Sequence, residues 1–405
     1  MSSKYLVIVG DGMADLPHEQ LNGQTVIEAS FMPNSDKIAS FVCGLTSTVP
    51  DGMNPGSDTA NLSIFSYNPA QYYTGRAPLE ALNLGIDLGP NDMAFRMNFV
   101  SIVQNRMDDF TADHIDSQYG KLIVDQLKKL NHPDIEFYAG VSYRNIMVWR
   151  NYPYDEMPLT VPPHDIQTMD VSSYLASGSG ADLLREIACE ARLVIADVVS
   201  EDHGLGGNPT DIWLWGAGKK PALKRFSEKY SISGVTVSAV DLIHGIGRAA
   251  GLNPVTVDGA TGYLDTNYKG KVDAALNAFE THDFVYLHIE APDETGHEGS
   301  LEKKRQAVED FDLKVVGPML EGMKKFNDYT ILLMPDHPTP VSVRTHTSDP
   351  VPFAFISTEP QFVDVHRKYS ASSYSEKEAK NTGLFVKDAS MLLDIIIKKK
   401  ISSIM

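Results

Sequence analysis

Short apolar runs, rich in β-branched residues, recur along this chain and are separated by segments with helical periodicity. The runs predict buried strands at residues 5–9, 44–49, 211–214, 235–239, 284–289, 330–334 and 352–356. Helices are predicted at residues 242–250, with Asp241 as the N-cap, at 302–323 and at 389–399. Because strands that alternate with helices assemble into parallel sheets, the pattern predicts a layered α/β fold with a mostly parallel central sheet.

The segment from residue 90 to residue 205 differs from the rest of the chain. It is rich in turn-forming residues, and none of the candidate metal ligands described below lies in it. A length of 405 residues is sufficient for two domains. We therefore predict a core domain formed by residues 1–89 and 206–405, into which a smaller α+β domain of residues 90–205 is inserted.

The formal net charge of −18 restricts the partners that this chain can have. An acidic surface repels nucleic acids and anionic membranes, so neither is expected to bind. No apolar stretch reaches the roughly 20 residues of a membrane span, and the N-terminus lacks the features of a signal peptide. Because Cys43 and Cys189 are the only cysteines, no disulfide framework is predicted, and the chain is expected to be cytoplasmic.

Candidate catalytic residues follow two of the apolar runs near the N-terminus. Asp11 comes directly after the first run, where a carboxylate can hold a metal ion, although an Asx turn is an alternative. Ser57 lies among small residues at a predicted junction between a loop and a helix. It is therefore either an exposed nucleophile or the N-cap of that helix.

Two pairs of acidic and histidine residues extend this set. Asp293 and His297 are four residues apart, so both side chains project from one face of a helical turn and can share one ion. Asp336 and His337 end a buried strand, and His346 lies in the loop that follows. Asp, His and Ser build two-metal sites with a hydroxyl nucleophile, which predicts phosphoryl transfer. Oxygen and imidazole ligands without thiolate favour Mn²⁺ or Zn²⁺, with Mg²⁺ as an alternative.

All of these residues except His346 lie in stretches that resemble the alkaline phosphatase superfamily, and more closely the cofactor-independent phosphoglycerate mutases of the archaeal type. The matching stretches are residues 9–13, 55–63, 73–81, 140–144, 162–166, 212–216, 259–268, 290–299 and 335–337. The resemblance covers nearly the whole chain. It implies an alkaline-phosphatase-like core and an inserted lid domain that closes over a small phosphorylated metabolite.

The resemblance also implies a role for each matching position. Ser57 is expected to be the nucleophile that becomes phosphoserine, and Lys271 is expected near the transferred phosphate. One of two divalent metal ions is expected at Asp11, Ser57, Asp336 and His337, and the other at Asp293, His297 and His346. The substrate is expected to contact Arg76, His114, Arg144, His164 and Asp165.

The implied reaction is the interconversion of 3-phosphoglycerate and 2-phosphoglycerate by two in-line displacements. Two departures from the family pattern leave an alternative open: Asp113 adjoins His114, and the stretch 197–207, which includes Glu201-Asp202-His203, contains no Arg or Lys. Acidic groups near an anionic substrate repel it. A homoserine kinase that uses ATP is therefore an alternative prediction, and a phosphosugar or phosphonate hydrolase is another.

Overall fold

The computed structural model describes residues 3–201 and 204–400. The chain divides into two compact units, and it passes from one to the other after Tyr73 and again after Ala222. These boundaries differ from the predicted ones, because segments 74–89 and 206–222 belong to the smaller unit. Helix Ala77–Asn83 packs against strand Met93–Val103 of that unit, and strand Asp211–Gly218 pairs with the same strand.

The described residues form thirteen strands, numbered here in chain order. They are β1 (Lys4–Gly10), β2 (Val42–Thr46), β3 (Met93–Val103), β4 (Arg106–Asp109), β5 (Ile135–Val141), β6 (Arg144–Trp149), β7 (Asp211–Gly218), β8 (Gly234–Val237), β9 (Asn253–Val255), β10 (Phe284–Ile289), β11 (Tyr329–Met334), β12 (Val351–Ser357) and β13 (Phe385–Val386). Each apolar run that predicted a strand overlaps one of these strands, so that part of the prediction is confirmed.

The larger unit is built on an eight-stranded sheet in the order β13-β2-β12-β11-β1-β10-β8-β9. Only β12 is antiparallel to its neighbours in this sheet, which confirms the predicted α/β fold with a mostly parallel sheet. The helices of this unit are Val26–Ala29, Pro33–Ala39, Ser57–Ile64, Pro69–Tyr72, Phe226–Tyr230, Asp241–Ala249, Tyr268–Ala278, Ala291–His297, Leu301–Phe311, Gly317–Met323, Val363–Tyr369, Glu376–Asn381 and Leu392–Ile397. The central strands are buried on both faces, as a sheet covered by helices requires.

Three predicted helices differ from the observed ones in detail. Asp241 is the first residue of its helix, and Val240 is the N-cap. The helix predicted at 302–323 is interrupted by a π-helical turn at Asp312–Val316, which ends before Pro318, a residue with no N–H to donate. The C-terminal helix predicted at 389–399 begins with a 3₁₀ turn and ends at Ile397.

The smaller unit contains an antiparallel sheet in which β3 pairs with β4, β6 and β7, and β5 pairs with β6. Its helices are Ala77–Asn83, Ser117–Leu127 and Ala181–Val199. The last two bury one apolar face each against β3, β5 and β6 in a common core. Across both units, no helix within the described ranges is long and apolar enough to span a membrane.

Candidate active site

Three neighbouring parallel strands of the larger unit end at one edge of the sheet, and an acidic residue follows each of them. Asp11 comes directly after β1, and Asp336 comes two residues after β11. Asp293 lies in helix Ala291–His297, which begins soon after β10. Because β1 pairs with both β10 and β11 in parallel, the three buried carboxylates are brought to the same edge.

His337 lies between Ser57 and two of these carboxylates. Ser57 is the first residue of helix Ser57–Ile64, and its Oγ lies 3.1 Å from Nε2 of His337. The same Nε2 atom lies 3.5 Å from Oδ1 of Asp11 and 3.4 Å from Oδ2 of Asp336. The structure thus brings together the four residues that were predicted to form the first metal site.

The residues predicted for the second metal site also converge. Nε2 of His297 lies 3.2 Å from Oδ2 of Asp293, as expected for residues four apart in a helix. Nε2 of His346 lies 3.5 Å from Oδ1 of Asp293 and 3.0 Å from Nε2 of His297. His337 adjoins this group as well, since its ring centroid is 4.1 Å from that of His346.

These buried, closely spaced carboxylates would be stabilised by bound cations. Burial and the negative charges of Asp336 and Asp293 raise the pKa of Asp11 well above its ordinary value. Burial also opposes ionisation of Asp293, but hydrogen bonds from His297 and His346 hold its pKa well below the usual range. Oδ1 of Asp11 is buried without a hydrogen-bond partner among the residues of the described ranges. A donor set of carboxylates and imidazoles with such an unpartnered oxygen fits divalent metal ions.

His288 belongs to the same cluster, although its place in the sequence does not single it out as a ligand. Asp11, His288 and Asp336 can each direct one atom to a common point, with all three atoms within 4.8 Å of one another. Asp293, His337 and His346 form a second group of this kind. Burial lowers the pKa of His288 to about 3, so its imidazole is neutral at physiological pH. The only signal in the sequence is a histidine within a fully buried strand, β10.

Neighbouring polar groups hold the candidate ligand side chains in place. Oδ1 of Asp336 accepts hydrogen bonds from the backbone N–H groups of Gly12 and His337, and Oδ2 accepts one from Asn61. Oδ1 of Asp293 accepts a hydrogen bond from the hydroxyl of Thr339. Such partners fix the orientation of ligands before a metal binds.

Gly12 is required by the backbone and by the space at the site. Its φ is +60°, and a Cβ would lie 2.4 Å from Oδ1 of Asp293 and 2.5 Å from Oγ1 of Thr339. We expect Gly12→Ala to destabilise the fold by about 2–4 kcal/mol, measured by urea unfolding. Gly23→Ala is the matched control, because Gly23 has φ +80° and open space, and it should cost about 1 kcal/mol. Equal losses in the two variants would contradict the steric argument.

Lys271, the other predicted catalytic residue, is fully buried in helix Tyr268–Ala278. Its Nζ lies 3.4 Å from the carbonyl oxygen of Thr261. Burial lowers the pKa of Lys271 to about 8, an effect that the negative charge of Glu290 opposes. The lysine is therefore a cation that gives up its proton more readily than an exposed one.

The predicted substrate-binding residues all lie in the smaller unit, where two arginines flank a buried acidic group. Nε of Arg76 lies 3.0 Å from Oε1 of Glu80, and Nε of Arg96 lies 2.8 Å from Oε2. Although burial opposes it, the charges of Arg96 and Arg76 lower the pKa of Glu80. Arg96 stacks on Trp215 at 4.3 Å, and the ring of His164 is 5.4 Å from Trp215. Arg96 was missed in the sequence because it lies within a strand.

Aromatic contacts connect His164 to the remaining predicted residues. Phe110 lies 6.0 Å from His164 and 6.4 Å from Tyr143, measured between ring centroids. Tyr143 in turn lies 6.1 Å from His114 and 5.6 Å from the guanidinium of Arg144. Asp165 adjoins His164, with 3.6 Å between Oδ1 and Nε2. The structure thus joins Arg76, His114, Arg144, His164 and Asp165 in one cluster with three arginines and several aromatic rings.

His114 lies in a strained turn. Ala112, Asp113 and His114 all have positive φ values, of 51°, 58° and 48°. This conformation costs about 1–2 kcal/mol per residue for non-glycine residues, and such strain is concentrated at functional sites. Asp109 stabilises the turn by accepting hydrogen bonds from the N–H groups of Thr111 and Asp113, at 2.8 and 2.6 Å. Asp113 itself is exposed, as is Glu201, while Asp202 and His203 lie outside the described residues.

Comparisons with known proteins identify relatives of this chain. The family model for 2,3-bisphosphoglycerate-independent phosphoglycerate mutase matches residues 40–199. A probable 2,3-bisphosphoglycerate-independent phosphoglycerate mutase of Geobacter sulfurreducens is 45% identical over 98% of this chain and 100% of its own length. The 2,3-bisphosphoglycerate-independent phosphoglycerate mutase of Methanosarcina barkeri is 43% identical, with the same coverage of both chains.

Solved structures show the same fold over the full length. The PH0037 protein from Pyrococcus horikoshii has a TM-score of 0.79 and 26% identity, and the match covers 100% of this chain and 99% of that one. A cofactor-independent phosphoglycerate mutase from Thermoplasma acidophilum has a TM-score of 0.64 at 24% identity, covering 98% and 99% of the two chains. From the near-complete matches to curated relatives, we conclude that the chain belongs to the 2,3-bisphosphoglycerate-independent phosphoglycerate mutase family.

Proposed function

We propose that this protein interconverts 3-phosphoglycerate and 2-phosphoglycerate through a phosphoserine at Ser57. The main support for this proposal is the position of Ser57. Its Oγ lies 3.1 Å from Nε2 of His337, and His337 in turn lies close to both Asp11 and Asp336 and to His346. Relatives that match this chain over nearly its whole length have the same activity in their names.

Two divalent metal ions would bind at this cluster, and His337 lies close enough to Asp11 and Asp336 as well as to His346 to belong to either site. We assign one ion to Asp11, Ser57, Asp336 and His337, and the other to Asp293, His297 and His346; Mn²⁺ and Zn²⁺ suit these donors best. When bound, the ions would supply positive charge to the oxygens at the reacting phosphorus and make the Ser57 hydroxyl a better nucleophile.

The chain's own residues account for the remaining steps. In the first displacement, Oγ of Ser57 loses its proton and forms a bond to phosphorus, the bond from phosphorus to O3 of the glycerate breaks, and O3 takes up a proton. In the second, O2 of the glycerate loses its proton and attacks the same phosphorus, the bond to Oγ breaks, and Oγ takes up a proton. The N-terminus of helix Ser57–Ile64 and the positive charge of Lys271 stabilise negative charge on the phosphoryl oxygens. We assign binding of the glycerate carboxylate and phosphate to the Arg76, Arg96 and Arg144 cluster, and propose that the smaller unit acts as a lid against hydrolysis.

The homoserine kinase alternative rested on acidic residues near the predicted substrate site. Asp113 and Glu201 are exposed, so their charges are hydrated and screened, which weakens the argument for a cationic substrate. We also place the protein in the cytoplasm, since Cys43 and Cys189 are both free thiols.

A direct assay separates these alternatives. The purified protein, supplied with Mn²⁺ and 3-phosphoglycerate, should produce 2-phosphoglycerate. The reaction is monitored by phosphorus NMR. The same protein with ATP and homoserine should produce no phosphohomoserine. Phosphohomoserine without any 2-phosphoglycerate would overturn the mutase assignment, and inorganic phosphate as the main product would identify a hydrolase.

The buried Lys271 should affect stability and activity in opposite directions. Its pKa is lowered from 10.5 to about 8, so the folded state binds fewer protons than the unfolded state between these values. Stability should therefore rise with pH through this window. We expect Lys271→Met to remove that rise, to stabilise the fold by roughly 1–3 kcal/mol at pH 7, and to abolish most activity.

Urea unfolding from pH 7 to 10, at one metal concentration, measures this effect. Lys269→Met is the matched control, because Lys269 lies in the same helix but is largely exposed. It should leave stability and turnover close to those of the wild type. A wild-type pH profile in Lys271→Met would show that the lysine is not buried as a cation.

A further inference from the structure

His288 is a buried imidazole with one nitrogen that no protein group satisfies. Its side chain has no solvent exposure, and Nε2 lies 3.1 Å from Oδ2 of Asp11. That contact does not have hydrogen-bond geometry, and Nε2 has no other hydrogen-bond partner in the part of the chain that the structure describes. Oδ1 of Asp11 is unpartnered in the same sense. A buried polar atom without a hydrogen-bond partner costs about 1–3 kcal/mol of folding free energy. This cost is offset if both atoms bind a ligand that is not part of the protein chain.

The other nitrogen of His288 already has a partner. Nδ1 lies 3.3 Å from Oγ of Ser238, and that Oγ accepts a hydrogen bond from the N–H of Val240 at 2.9 Å. With its proton on Nδ1, the imidazole donates to Ser238 and leaves the lone pair of Nε2 directed at the carboxylates. Metal-binding histidines in proteins commonly have this arrangement, in which the second nitrogen is held by an outer partner.

The spacing of the donor atoms matches a shared ion. Neighbouring ligands at roughly 2.0–2.2 Å from a five- or six-coordinate metal ion, at about 90° to each other, are roughly 2.8–3.1 Å apart. The 3.1 Å between His288 and Asp11 lies within this range, and Asp336 can present a third atom within 4.8 Å of both. Asp336 is fixed in place by the N–H groups of Gly12 and His337.

We propose that His288 is a direct ligand of the metal ion at Asp11 and Asp336, in addition to Ser57 and His337. This inference rests on the metal site assigned under the proposed function. A second imidazole gives this site a softer donor set than carboxylates and a hydroxyl alone would. His288 therefore favours Zn²⁺, Co²⁺ or Mn²⁺ over Mg²⁺ at this position.

Metal binding to the full-length protein tests this role without relying on activity. The metals are removed with a chelator, Co²⁺ is added back, and both the visible absorption spectrum and the affinity in competition with a chelator are recorded. We expect His288→Asn to weaken binding of one of two equivalents by at least about tenfold and to change the spectrum. His244→Asn is the matched control, because His244 is also buried but both of its nitrogens have protein partners, Thr236 and Ser238. It should keep the wild-type spectrum and affinity.

Two further variants make the outcome decisive. Asp336→Ala should lose the same equivalent; if it keeps both, the proposed metal site itself is wrong. If Asp336→Ala loses one equivalent while His288→Asn retains wild-type affinity and spectrum, the site stands and the role of His288 is overturned. Ser238→Ala retains the imidazole but removes the partner of Nδ1, so it tests the proposal even if His288→Asn fails to fold. A changed Co²⁺ spectrum in Ser238→Ala supports the proposal, and an unchanged one contradicts it.

Discussion

Ser57→Ala should abolish mutase turnover while the protein remains folded and retains its metal ions. The variant lacks the oxygen that forms the bond to phosphorus, and removal of a nucleophile reduces turnover by about 10⁴-fold or more. The other groups should stay in place, because Asp336 accepts hydrogen bonds from the N–H groups of Gly12 and His337, and the hydroxyl of Thr339 contacts Nδ1 of His337. Loss of the one contact to His337 should change the unfolding free energy by only about 1 kcal/mol.

Two experiments test this prediction. Turnover of 3-phosphoglycerate measures catalysis, and covalent labelling measures formation of the phosphoserine. Acid-quenched samples should contain phosphoserine in the wild type and none in Ser57→Ala. Ser63→Ala is the matched control, since Ser63 is buried in the same helix but is not part of the ligand groups. It should retain wild-type turnover. Substantial turnover in Ser57→Ala, or a phosphoenzyme that forms without Ser57, would rule out the proposed covalent route.

Much of the core and of its ligand clusters could be predicted from local sequence alone. Buried parallel strands are continuous apolar runs, so β1, β10 and β11 are visible in the sequence. An acidic residue directly after a buried strand is a candidate ligand at the sheet edge, so Asp11 and Asp336 could each be singled out, whereas their assignment to one ion came from the resemblance to the family. The spacing of Asp293 and His297 carries the same kind of information for a helix.

The unpredicted features depend on packing between distant segments. His288 is one of six residues in an otherwise apolar strand, and only the pairing of β10 with β1 shows that it faces Asp11. Strand β7 was recognised as a strand. Its pairing with β3 rather than with the core sheet depends on contacts between segments far apart in sequence. The contact-defined smaller unit therefore begins before residue 90 and ends after residue 205. Arg96 was overlooked because its buried partner, Glu80, lies in a different element.

Asp336→Ala should remove one of the two metal ions and most of the activity. The carboxylate is fully buried and accepts hydrogen bonds from Gly12, His337 and Asn61, at 3.0, 2.8 and 2.7 Å. The carboxylate is therefore held in one orientation before a cation binds. Without it we expect one metal equivalent to be lost by elemental analysis, and turnover to fall by about 10³-fold or more.

The variant will also lose stability for reasons unrelated to metal, so its control must share that loss. Asp312 is equally buried and accepts hydrogen bonds from Ser35 and Asn34, and none of these three residues belongs to the proposed metal sites. Both Asp336→Ala and Asp312→Ala leave buried donors without an acceptor and should lose about 2–4 kcal/mol of unfolding free energy. If Asp312→Ala keeps two metal equivalents and wild-type turnover while Asp336→Ala keeps one, metal loss is not a consequence of general destabilisation. Full metal occupancy in Asp336→Ala would instead mean that the ion is held by other side chains, and the assignment of Asp336 as a ligand would fail.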